Sequence, residues 1–559
     1  MTPACAGVAR VGNSVPKPLK APEIPLYHQI PVAIYAVFRF YISKLVNNRG
    51  GVLTKLKEVD VLVIGGGVNG AGIARDLAGR GLSVMLVEKD DLASATSSAS
   101  TKLIHGGLRY LEHYEFRLVR EALMEREVLL KSAPHIIWPL TFILPHHKKL
   151  RPWWMIRIGL FLYDHLGGRK MLPKSKSQYM AGTLYGQPLK TEFRRGFSYS
   201  DCWVEDTRLV VLAARDAADR GADIRTRTEC LSLERDEKSD MWLAALQDHT
   251  EGGKYHVRAR LVVNASGPWV GKTLALTGDE NPKYKVRWVK GSHIIVPRLF
   301  QGEHAYILQN EDKRIVFLIP YEKKYTLVGT TDVEYTEDIE EVRISMEEVE
   351  YLCAAANRFL RHPLKPSDVQ WTYSGVRPLV DDGDKEASRV TRDYMIDMEE
   401  TQGLPILSVY GGKITTFRKL AEAAGDQVVA KLGKGTGPWT EKAMLPGADA
   451  NVINFATFLK TLKREYNWLP EALAFRLARA YGTRVRDILR GAKRLADLGD
   501  YLGENVYEAE IRYLTANEWA QTLEDILWRR SKLGLHTSED TQKKIKKLLK
   551  KIQAKKETA

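Results

Sequence analysis

Cysteine is scarce in this chain: its 559 residues include four, Cys5, Cys202, Cys230 and Cys353. The four lie far apart and none belongs to a C-x-x-C pair, so the sequence indicates neither a structural zinc site nor a redox dithiol. Free thiols in a reducing compartment fit this usage.

The sequence also lacks a good membrane-spanning segment. Residues 30–46 are apolar but short, and they carry Arg39 and Lys44, whereas a spanning helix needs about 20 mostly apolar residues. The order of regions that marks a secretory signal is missing as well. Three interpretations of residues 1–54 stay open: an artefactual or disordered leader before a start near Val52, a membrane contact, and an organellar transit peptide.

Acidic residues are rare at both ends of the chain, which accounts for most of the net charge of +15. Residues 1–55 carry seven Lys and Arg against Glu23 alone, and residues 542–559 carry eight Lys against Glu557. The stretch between them is nearly neutral, which argues against a general nucleic-acid surface. Signatures of RNP, zinc-finger and helix-turn-helix modules are also missing, so we expect no nucleic-acid partner.

The lysine-rich end nevertheless has a helical pattern. Its apolar residues fall at i, i+3, i+4 and i+7, so they share one face of a helix and lysines surround the rest. These residues are Ile545, Leu548, Leu549 and Ile552. The pattern predicts that residues 541–559 form a basic amphipathic tail on an anionic membrane surface; a solvated tail is the alternative.

The most informative motif spans residues 59–88. An apolar strand runs into Gly65-Gly66-Gly67-Val68-Asn69-Gly70, and a second apolar strand ends at Glu88. The first glycine permits a tight turn, the third lets the backbone approach a pyrophosphate, and the fourth lets the following helix pack on the sheet. The helix N-terminus attracts phosphate, and the acid can accept ribose hydroxyls. The motif predicts a dinucleotide site; a βα turn without a ligand is the alternative.

Hydrophobic patterning places further elements along the chain. Segments 261–269 and 407–418 are strands that run into small-residue turns, and we expect them to converge with segment 59–110 on one nucleotide. Helices are predicted at Phe116–Lys131 and Trp153–Leu166. Because the second is apolar on nearly every side, a buried helix is favoured over a membrane-facing one.

These elements predict an α/β fold: a Rossmann-like nucleotide-binding domain, an antiparallel-sheet substrate domain and a C-terminal helical domain. The expected boundaries are 1–54 for the leader, 55–435 for the nucleotide-binding domain with its interleaved substrate part mainly at 285–385, 436–540 for the helical domain and 541–559 for the tail.

Several runs of sequence resemble one family closely. They are TSSASTKLIHGGLRYLEHYEFRLV, VVNASGPW, KGSHIIVPR, YILQNEDKRIVFLIPY, GTTDVEY, YSGVRPL and YGGKITTFRKLAE. They resemble the FAD-dependent, membrane-associated glycerol-3-phosphate dehydrogenases over residues 57–535, with the leader and the lysine tail outside the family pattern. Because no D-x-[DN]-x-[DN]-G loop of an EF-hand occurs, the chain is similar to the bacterial form.

The resemblance implies a flavoprotein of the D-amino-acid-oxidase-like superfamily. Such a protein oxidises sn-glycerol 3-phosphate to dihydroxyacetone phosphate with FAD and passes the electrons to quinone, as a peripheral protein on the cytoplasmic side of the inner membrane. Two alternatives stay open: a glycerol-3-phosphate oxidase that uses oxygen, and a flavin-binding membrane scaffold without turnover. The oligomeric state is open, with a homodimer among the options.

The matching motif positions also imply substrate-binding residues. Arg377 and Arg392 would clamp the substrate phosphate, since a guanidinium fork suits phosphate oxygens. Arg109, Tyr110 and Lys413 would line the glycerol end beside the isoalloxazine ring. The alternatives are structural ion pairs for the first two arginines and an ordinary core position for the tyrosine.

His293 is the candidate catalytic base, because a neutral imidazole can accept a proton near pH 7; a satisfied core histidine is the alternative. The residues expected to contact FAD are Gly65, Gly67, Asn69, Gly70, Glu88, Lys89, Thr96, Ser97, Ser98, Lys102, Leu103, His105, Ala265, Gly267, Gly411, Gly412 and Thr415.

Overall fold

The computed structural model describes residues 56–557, except residues 148–149, 169–170, 251, 279–282, 313 and 381–393. The predicted leader and Arg392 therefore lie outside the described residues.

The strands of the described residues alternate with helices through the first two thirds of the chain. They are β1 (Lys57–Ile64), β2 (Val84–Glu88), β3 (Leu103–Ile104), β4 (Ile137–His146), β5 (Lys176–Tyr179), β6 (Arg195–Val204), β7 (Asp223–Thr226), β8 (Thr228–Asp236), β9 (Met241–Asp248), β10 (Lys254–Asn264), β11 (Val286–Pro297), β12 (Ala305–Gln309), β13 (Ile315–Tyr321), β14 (Tyr325–Gly329), β15 (Val333–Glu334), β16 (Trp371–Val380), β17 (Met395–Thr401), β18 (Leu404–Tyr410), β19 (Tyr501–Gly503) and β20 (Val506–Tyr507).

Helices dominate the last third. The α-helices are α1 (Val68–Gly79), α2 (Phe116–Ser132), α3 (Trp153–Leu166), α4 (Asp206–Asp219), α5 (Val270–Ala275), α6 (Met346–Asn357), α7 (Phe417–Leu432), α8 (Phe455–Glu465), α9 (Glu471–Tyr481), α10 (Val485–Ile488), α11 (Glu508–Asn517) and α12 (Glu539–Glu557). A π-helical turn occupies Asp525–Arg530.

The first sheet is the predicted nucleotide-binding sheet. Within the described residues it has eight strands, in the order β17-β18-β10-β1-β2-β7, with β9 and β8 attached beside β10. Strands β18, β10, β1, β2 and β7 are mutually parallel. Helices α1, α4 and α7 pack on one face, and the β8–β9 hairpin with α5 covers the other. Burial on both faces explains why the central strands are continuous apolar runs.

The second sheet is the predicted antiparallel substrate sheet, and it is wider than expected. Its ten strands within the described residues follow the order β15-β11-β14-β13-β12-β4-β6-β3, with β16 paired to β11 and β5 to β6. Strands β11 to β16 fall in the expected region 285–385, whereas β3 to β6 come from residues 103–204. These earlier strands bring the segment after β2 to the edge where the two sheets meet.

The expectation for the lysine tail is wrong. Helix α12 forms, but its apolar residues are buried in the core of the C-terminal helical domain instead of facing outward. The buried set consists of Ile545, Leu548, Leu549 and Ile552. The lysines around them are exposed. The amphipathic face therefore completes a protein core, and inserting it into lipid would require unpacking that core.

The expectation that α3 is a buried helix is also wrong. Leu160 and Tyr163 face the core, but the opposite face exposes Trp154 (61%), Ile158 and Phe161 (54%). Both sides of the helix are apolar, but only one side packs against the protein core and the opposite side is exposed. We define the exposed face of α3 as the α3 patch. Within the described residues, no helix is both long enough and apolar enough to cross a membrane.

Candidate functional site

The candidate site lies at one edge of the first sheet. Because neighbouring parallel strands run in the same direction, the carboxyl ends of β1, β2, β10 and β18 meet there. A cleft of about 1230 Å³, counting its open mouth, follows this edge. The convergence of segments 59–110, 261–269 and 407–418 is thus confirmed by the strand order.

The glycine turn after β1 brings backbone very close to backbone. A Cβ atom on Gly70 would lie 1.9 Å from the carbonyl oxygen of Gly65, so α1 can approach the turn only without a side chain at this position. The helix starts after Gly67, and the first helix N–H, that of Val68, donates to Ser97 Oγ at 2.9 Å. The positive end of the helix dipole lies at the cleft, where it favours an anion.

Glu88 ends β2 beside this turn. Its Oε2 accepts a hydrogen bond from the backbone N–H of Gly66 at 2.6 Å, and its Oε1 accepts one from the N–H of Asp90 at 2.9 Å. Burial raises the pKa of Glu88 to about 6, against the lowering effect of these two bonds. The two backbone bonds fix the carboxyl group at the cleft wall, where its remaining lone pairs can accept ribose hydroxyls.

Most of the residues expected to contact the cofactor line the cleft. Those that do are Gly65, Gly67, Asn69, Glu88, Lys89, Thr96, Ser97, Ala265, Gly267, Gly411 and Gly412. Asn69 donates from Nδ2 to the Gly411 carbonyl at 3.1 Å, which ties α1 to the turn after β18. Its Oδ1 is buried without a hydrogen-bond partner in the described part of the chain.

The other expected cofactor residues lie behind the lining. Gly70 is buried beneath the turn, and Leu103 is buried in β3. Ser98 donates to the Ala95 carbonyl within the loop. The Lys102 ammonium is buried and donates to Asp206 at 2.7 Å. These positions shape the loop that lines the cleft, and direct contact with a cofactor remains a prediction for them.

His105 and Thr415 connect the two segments that approach the cleft from opposite sides. The backbone N–H of His105 donates to Thr415 Oγ1 at 3.2 Å. The bond joins the turn after β3 to the turn after β18 and so fixes the two segments relative to each other.

Several lining residues were missed by the sequence analysis. They include Thr228, Glu229, Cys230, Trp269, Lys272 and Thr273. The first three belong to β8, an antiparallel strand attached to the sheet through β9. No glycine motif marks that strand, and only its pairing in three dimensions brings it to the cleft. The others were detectable from the sequence, because Trp269 ends the predicted segment 261–269 and α5, with Lys272 and Thr273, directly follows it.

Tyr110 and Lys413 come together as expected. Tyr110 lies on the 3₁₀ turn Leu108–His113 and Lys413 follows the glycines after β18. The Lys413 ammonium stands 4.0 Å from the centre of the Tyr110 ring, a cation–π distance. Arg109 precedes Tyr110 on the same turn. The three residues thus lie on two segments that the contact between Lys413 and Tyr110 brings together.

Arg377 lies on β16, opposite Val289 of β11. Its Nη1 donates to Asp332 at 2.5 Å and its Nη2 donates to Thr330 Oγ1 at 3.1 Å. The guanidinium is therefore oriented by an acid, and a substrate phosphate would share it with Asp332. An ion pair and a role in phosphate binding are compatible at this position.

His293 lies on β11. It is 1% exposed, its ring stacks on Tyr373 with centroids 4.8 Å apart, and its Nε2 lies 3.0 Å from Thr101 Oγ1. Its Nδ1 has no hydrogen-bond partner in the described part of the chain. Burial, followed by the charges of Arg377 and Lys102, holds the pKa of His293 well below its usual range. The ring is neutral at pH 7, which a proton acceptor requires.

Comparison with known proteins agrees with this geometry. The family model described as FAD dependent oxidoreductase matches residues 60–418, and the model described as the C-terminal domain of alpha-glycerophosphate oxidase matches residues 438–557. The chain belongs to the FAD-dependent oxidoreductase family. The second match includes α12, so the expectation that the lysine tail lies outside the family pattern is wrong.

Relatives are similar over nearly their whole length. A glycerol-3-phosphate dehydrogenase of Pseudomonas aeruginosa is 53% identical over 495 residues, which is 88% of this chain and 95% of the relative. A D-erythritol 1-phosphate dehydrogenase of Brucella abortus is 50% identical over 480 residues, 86% and 95% of the two chains. The crystal structure of glycerol-3-phosphate dehydrogenase from Bacillus halodurans with FAD is similar at a TM-score of 0.69 and 26% identity, covering 89% and 94%.

The cleft residues fit FAD, the cofactor of this family. A pyrophosphate suits the positive end of α1, and the fixed carboxyl of Glu88 suits the ribose of adenosine. The buried Asn69 Oδ1 and the small residues of the wall leave room for a cofactor that crosses the glycine turn. The flavin end would then reach the segments that carry Tyr110 and Lys413.

The Glu88→Ala variant tests the ribose assignment. It removes an acceptor of charge-assisted hydrogen bonds, each contributing about 1.5–3 kcal/mol, so we expect the Kd for FAD to rise about tenfold or more. Fluorescence titration of the apoprotein with FAD measures this. Glu234→Gln, an exposed position on β8, is the control that should leave the Kd unchanged. Equal affinities in Glu88→Ala and wild type would remove Glu88 from the site.

Proposed function

We propose that the protein oxidises sn-glycerol 3-phosphate to dihydroxyacetone phosphate and delivers the electrons to membrane quinone. The observation that carries the proposal is the 53% identity to a glycerol-3-phosphate dehydrogenase across both domains. FAD, when bound in the cleft, supplies the hydride acceptor. Gly65, Gly67, Asn69 and Glu88 would hold it.

The surrounding side chains support oxidation of a phosphorylated secondary alcohol. Arg377 binds the phosphate and keeps this charge at a fixed distance from the reacting carbon. Lys413 and Arg109 supply further positive charge beside Tyr110. His293 is the proposed acceptor of the hydroxyl proton: its ring is neutral, although its lowered pKa makes it a weak base. Arg392, which lies outside the described residues, is the second proposed phosphate ligand.

A four-carbon polyol phosphate is the second candidate substrate. The relative from Brucella abortus, whose name specifies D-erythritol 1-phosphate, is nearly as similar as the glycerol-3-phosphate dehydrogenase. Both substrates place a hydroxyl near a phosphate, so Arg377 as phosphate ligand and His293 as proton acceptor would serve either one. Glycerol 3-phosphate and D-erythritol 1-phosphate differ in the length of the carbon chain that the substrate site must hold.

Anaerobic reduction of the flavin tests the reaction. We expect glycerol 3-phosphate to bleach the oxidised-flavin absorbance of the purified protein within the turnover time, and a quinone analogue to restore it. A non-catalytic scaffold predicts no bleaching, and an oxidase predicts rapid peroxide formation in air. A larger kcat/KM for D-erythritol 1-phosphate than for glycerol 3-phosphate would assign the second candidate instead.

The Arg377→Lys variant tests phosphate recognition. The lysine keeps the charge but loses the guanidinium fork, so we expect the KM for glycerol 3-phosphate to rise about tenfold or more while activity on glycerol changes little. The matched control is Arg298→Lys, which alters an ion pair with Glu303 at the far end of β11. Equal losses of activity on glycerol 3-phosphate and on glycerol would show that Arg377 does not recognise the phosphate.

The α3 patch is the proposed contact with the membrane. Its exposed residues at positions 154, 158 and 161 share one helical face. Exposed Tyr114 and Phe116 lie on the neighbouring segment. Arg117 and Arg151 pair with Glu121 and Glu112, so the support for a membrane contact comes from the exposed aromatic and aliphatic side chains, which suit the interfacial layer of a bilayer. We infer that the protein is peripheral on the cytoplasmic face of the inner membrane.

The patch also adjoins the proposed flavin end. Helix α3 contacts the 3₁₀ turn Leu108–His113, which carries Arg109 and Tyr110. A quinone that leaves the bilayer at the patch would therefore meet the protein close to the reacting centre. This proximity supports a lipid-soluble acceptor over oxygen.

Substitution of two patch aromatics tests the membrane contact. We expect Trp154→Glu combined with Phe161→Glu to lower binding to phosphatidylglycerol liposomes at least tenfold, since each aromatic loses about 1.5–3 kcal/mol of burial. Quinone reduction should fall while reduction of a soluble dye persists. The control is Met346→Glu, which alters a residue 63% exposed on α6. Liposome flotation equal to that of the control would place the contact elsewhere.

A further inference from the structure

One wall of the cofactor cleft is an irregular segment, residues 89–102, which joins β2 to β3. Ala93, Thr96 and Ser97 of this segment line the cleft. Its regular structure is limited to the 3₁₀ turn Thr96–Ser98. Ala93 and Lys102 both have φ near +59°, a conformation that residues other than glycine rarely adopt. Such a segment needs contacts from outside to hold one shape.

The first part of the segment is held by the C-terminal helical domain. The Asp91 carboxylate is 1% exposed, and two consecutive arginines of the π-helical turn reach it. Arg529 Nε donates to Oδ2 at 2.6 Å, and Arg530 donates from Nη1 to Oδ2 and from Nη2 to Oδ1, both at 2.7 Å. The second contact is bidentate, which fixes the orientation as well as the position of the carboxylate.

The two arginines are themselves oriented by their own domain. Arg529 Nη2 donates to Asp525 at 2.6 Å, and Arg530 Nε donates to the Glu518 carbonyl at 2.7 Å. Asp525 also accepts from Arg227, whose backbone N–H donates to the Asp90 carbonyl at 2.7 Å. Arg227 directly precedes the cleft-lining residues of β8. One network therefore joins the helical domain to two walls of the cleft.

The second end of the segment is fixed close to the same domain. Lys102 Nζ and Ser100 Oγ donate to Asp206, at 2.7 and 2.8 Å. The neighbouring Thr207 hydroxyl accepts from Lys532, at 3.3 Å. Lys532 comes two residues after Arg530. A short stretch of the helical domain thus contacts the first end of the cleft wall directly and reaches the second end through Thr207 and its neighbour Asp206.

We propose that the C-terminal helical domain sets the shape of the FAD cleft through Arg529 and Arg530, which act as positioning residues for the segment 89–102. Buried ion pairs add little stability compared with apolar packing, because desolvation offsets their attraction. Their directional bonds instead select one conformation of the segment that they hold. The proposal depends on FAD binding and is independent of which polyol phosphate is the substrate.

Affinity for FAD without substrate tests the proposal in the full-length protein. Arg530→Met removes the bidentate contact at similar side-chain length. Arg476→Met is the matched control, because Arg476 makes an equivalent bidentate pair with Glu510 inside the same domain, with N···O distances of 2.6 and 2.7 Å, and does not contact the segment. The readouts are the thermal midpoint, the Kd for FAD by fluorescence, and the visible circular dichroism of bound flavin.

We expect both variants to lower the thermal midpoint, and only Arg530→Met to raise the Kd for FAD at least tenfold and to alter the flavin dichroism. Arg530→Lys should restore part of the affinity. If Arg530→Met does not fold, Asp91→Asn, which keeps the shape of the carboxyl group, should show the same rise in Kd. A Kd that follows the thermal midpoint equally in the position-530 and position-476 variants, or stays within twofold of wild type in Asp91→Asn, would overturn the proposal.

Discussion

The shared direction of the parallel strands is the constraint on which the rest of this structure depends. Since β1, β2, β10 and β18 run the same way, their carboxyl ends reach one edge, where β1, β10 and β18 are followed by turns of small residues. The closest of these approaches is between Gly70 and the Gly65 carbonyl. The cleft, the start of α1 and the carboxyl of Glu88 all take their places from this edge, and the substrate sheet is positioned against it.

Local patterns predicted the elements of this edge well. The strand, turn and helix around residues 59–88 form as expected, and α2 and α3 form at or near their predicted bounds. Such elements are encoded by spacing within about twenty residues, which a single sequence displays. The contribution of β8 was not predictable in this way. Thr228 and Cys230 reach the cleft through pairing with a strand that follows them, and nothing in their own neighbourhood marks a ligand.

Helices α3 and α12 show a second limit of patterning. Hydrophobic periodicity indicates which face of a helix is apolar, but it does not indicate what covers that face. In α12 the face with Leu548 and Leu549 is covered by the helical domain, although lysines surround it. In α3 the face with Trp154 and Phe161 is uncovered. Both helices were assigned the wrong environment for this reason, and the proposed membrane contact moves from the basic end of the chain to the apolar helix.

The positively charged side chains also differ between the surface and the interior. The lysines of α12 contribute to the net charge of +15 from the surface, whereas the arginines proposed to act at the site are held by carboxylates. Half-buried Arg377 is oriented by Asp332, and buried Arg529 and Arg530 are oriented around Asp91. An arginine held by an acid has a fixed direction, which a solvated lysine lacks. Burial, followed by the charges of Arg377 and Lys102, lowers the pKa of His293 and so favours its neutral form. Directed cations and a neutral ring are what the oxidation of a phosphorylated alcohol requires, since the anion must be held while the hydroxyl proton is accepted.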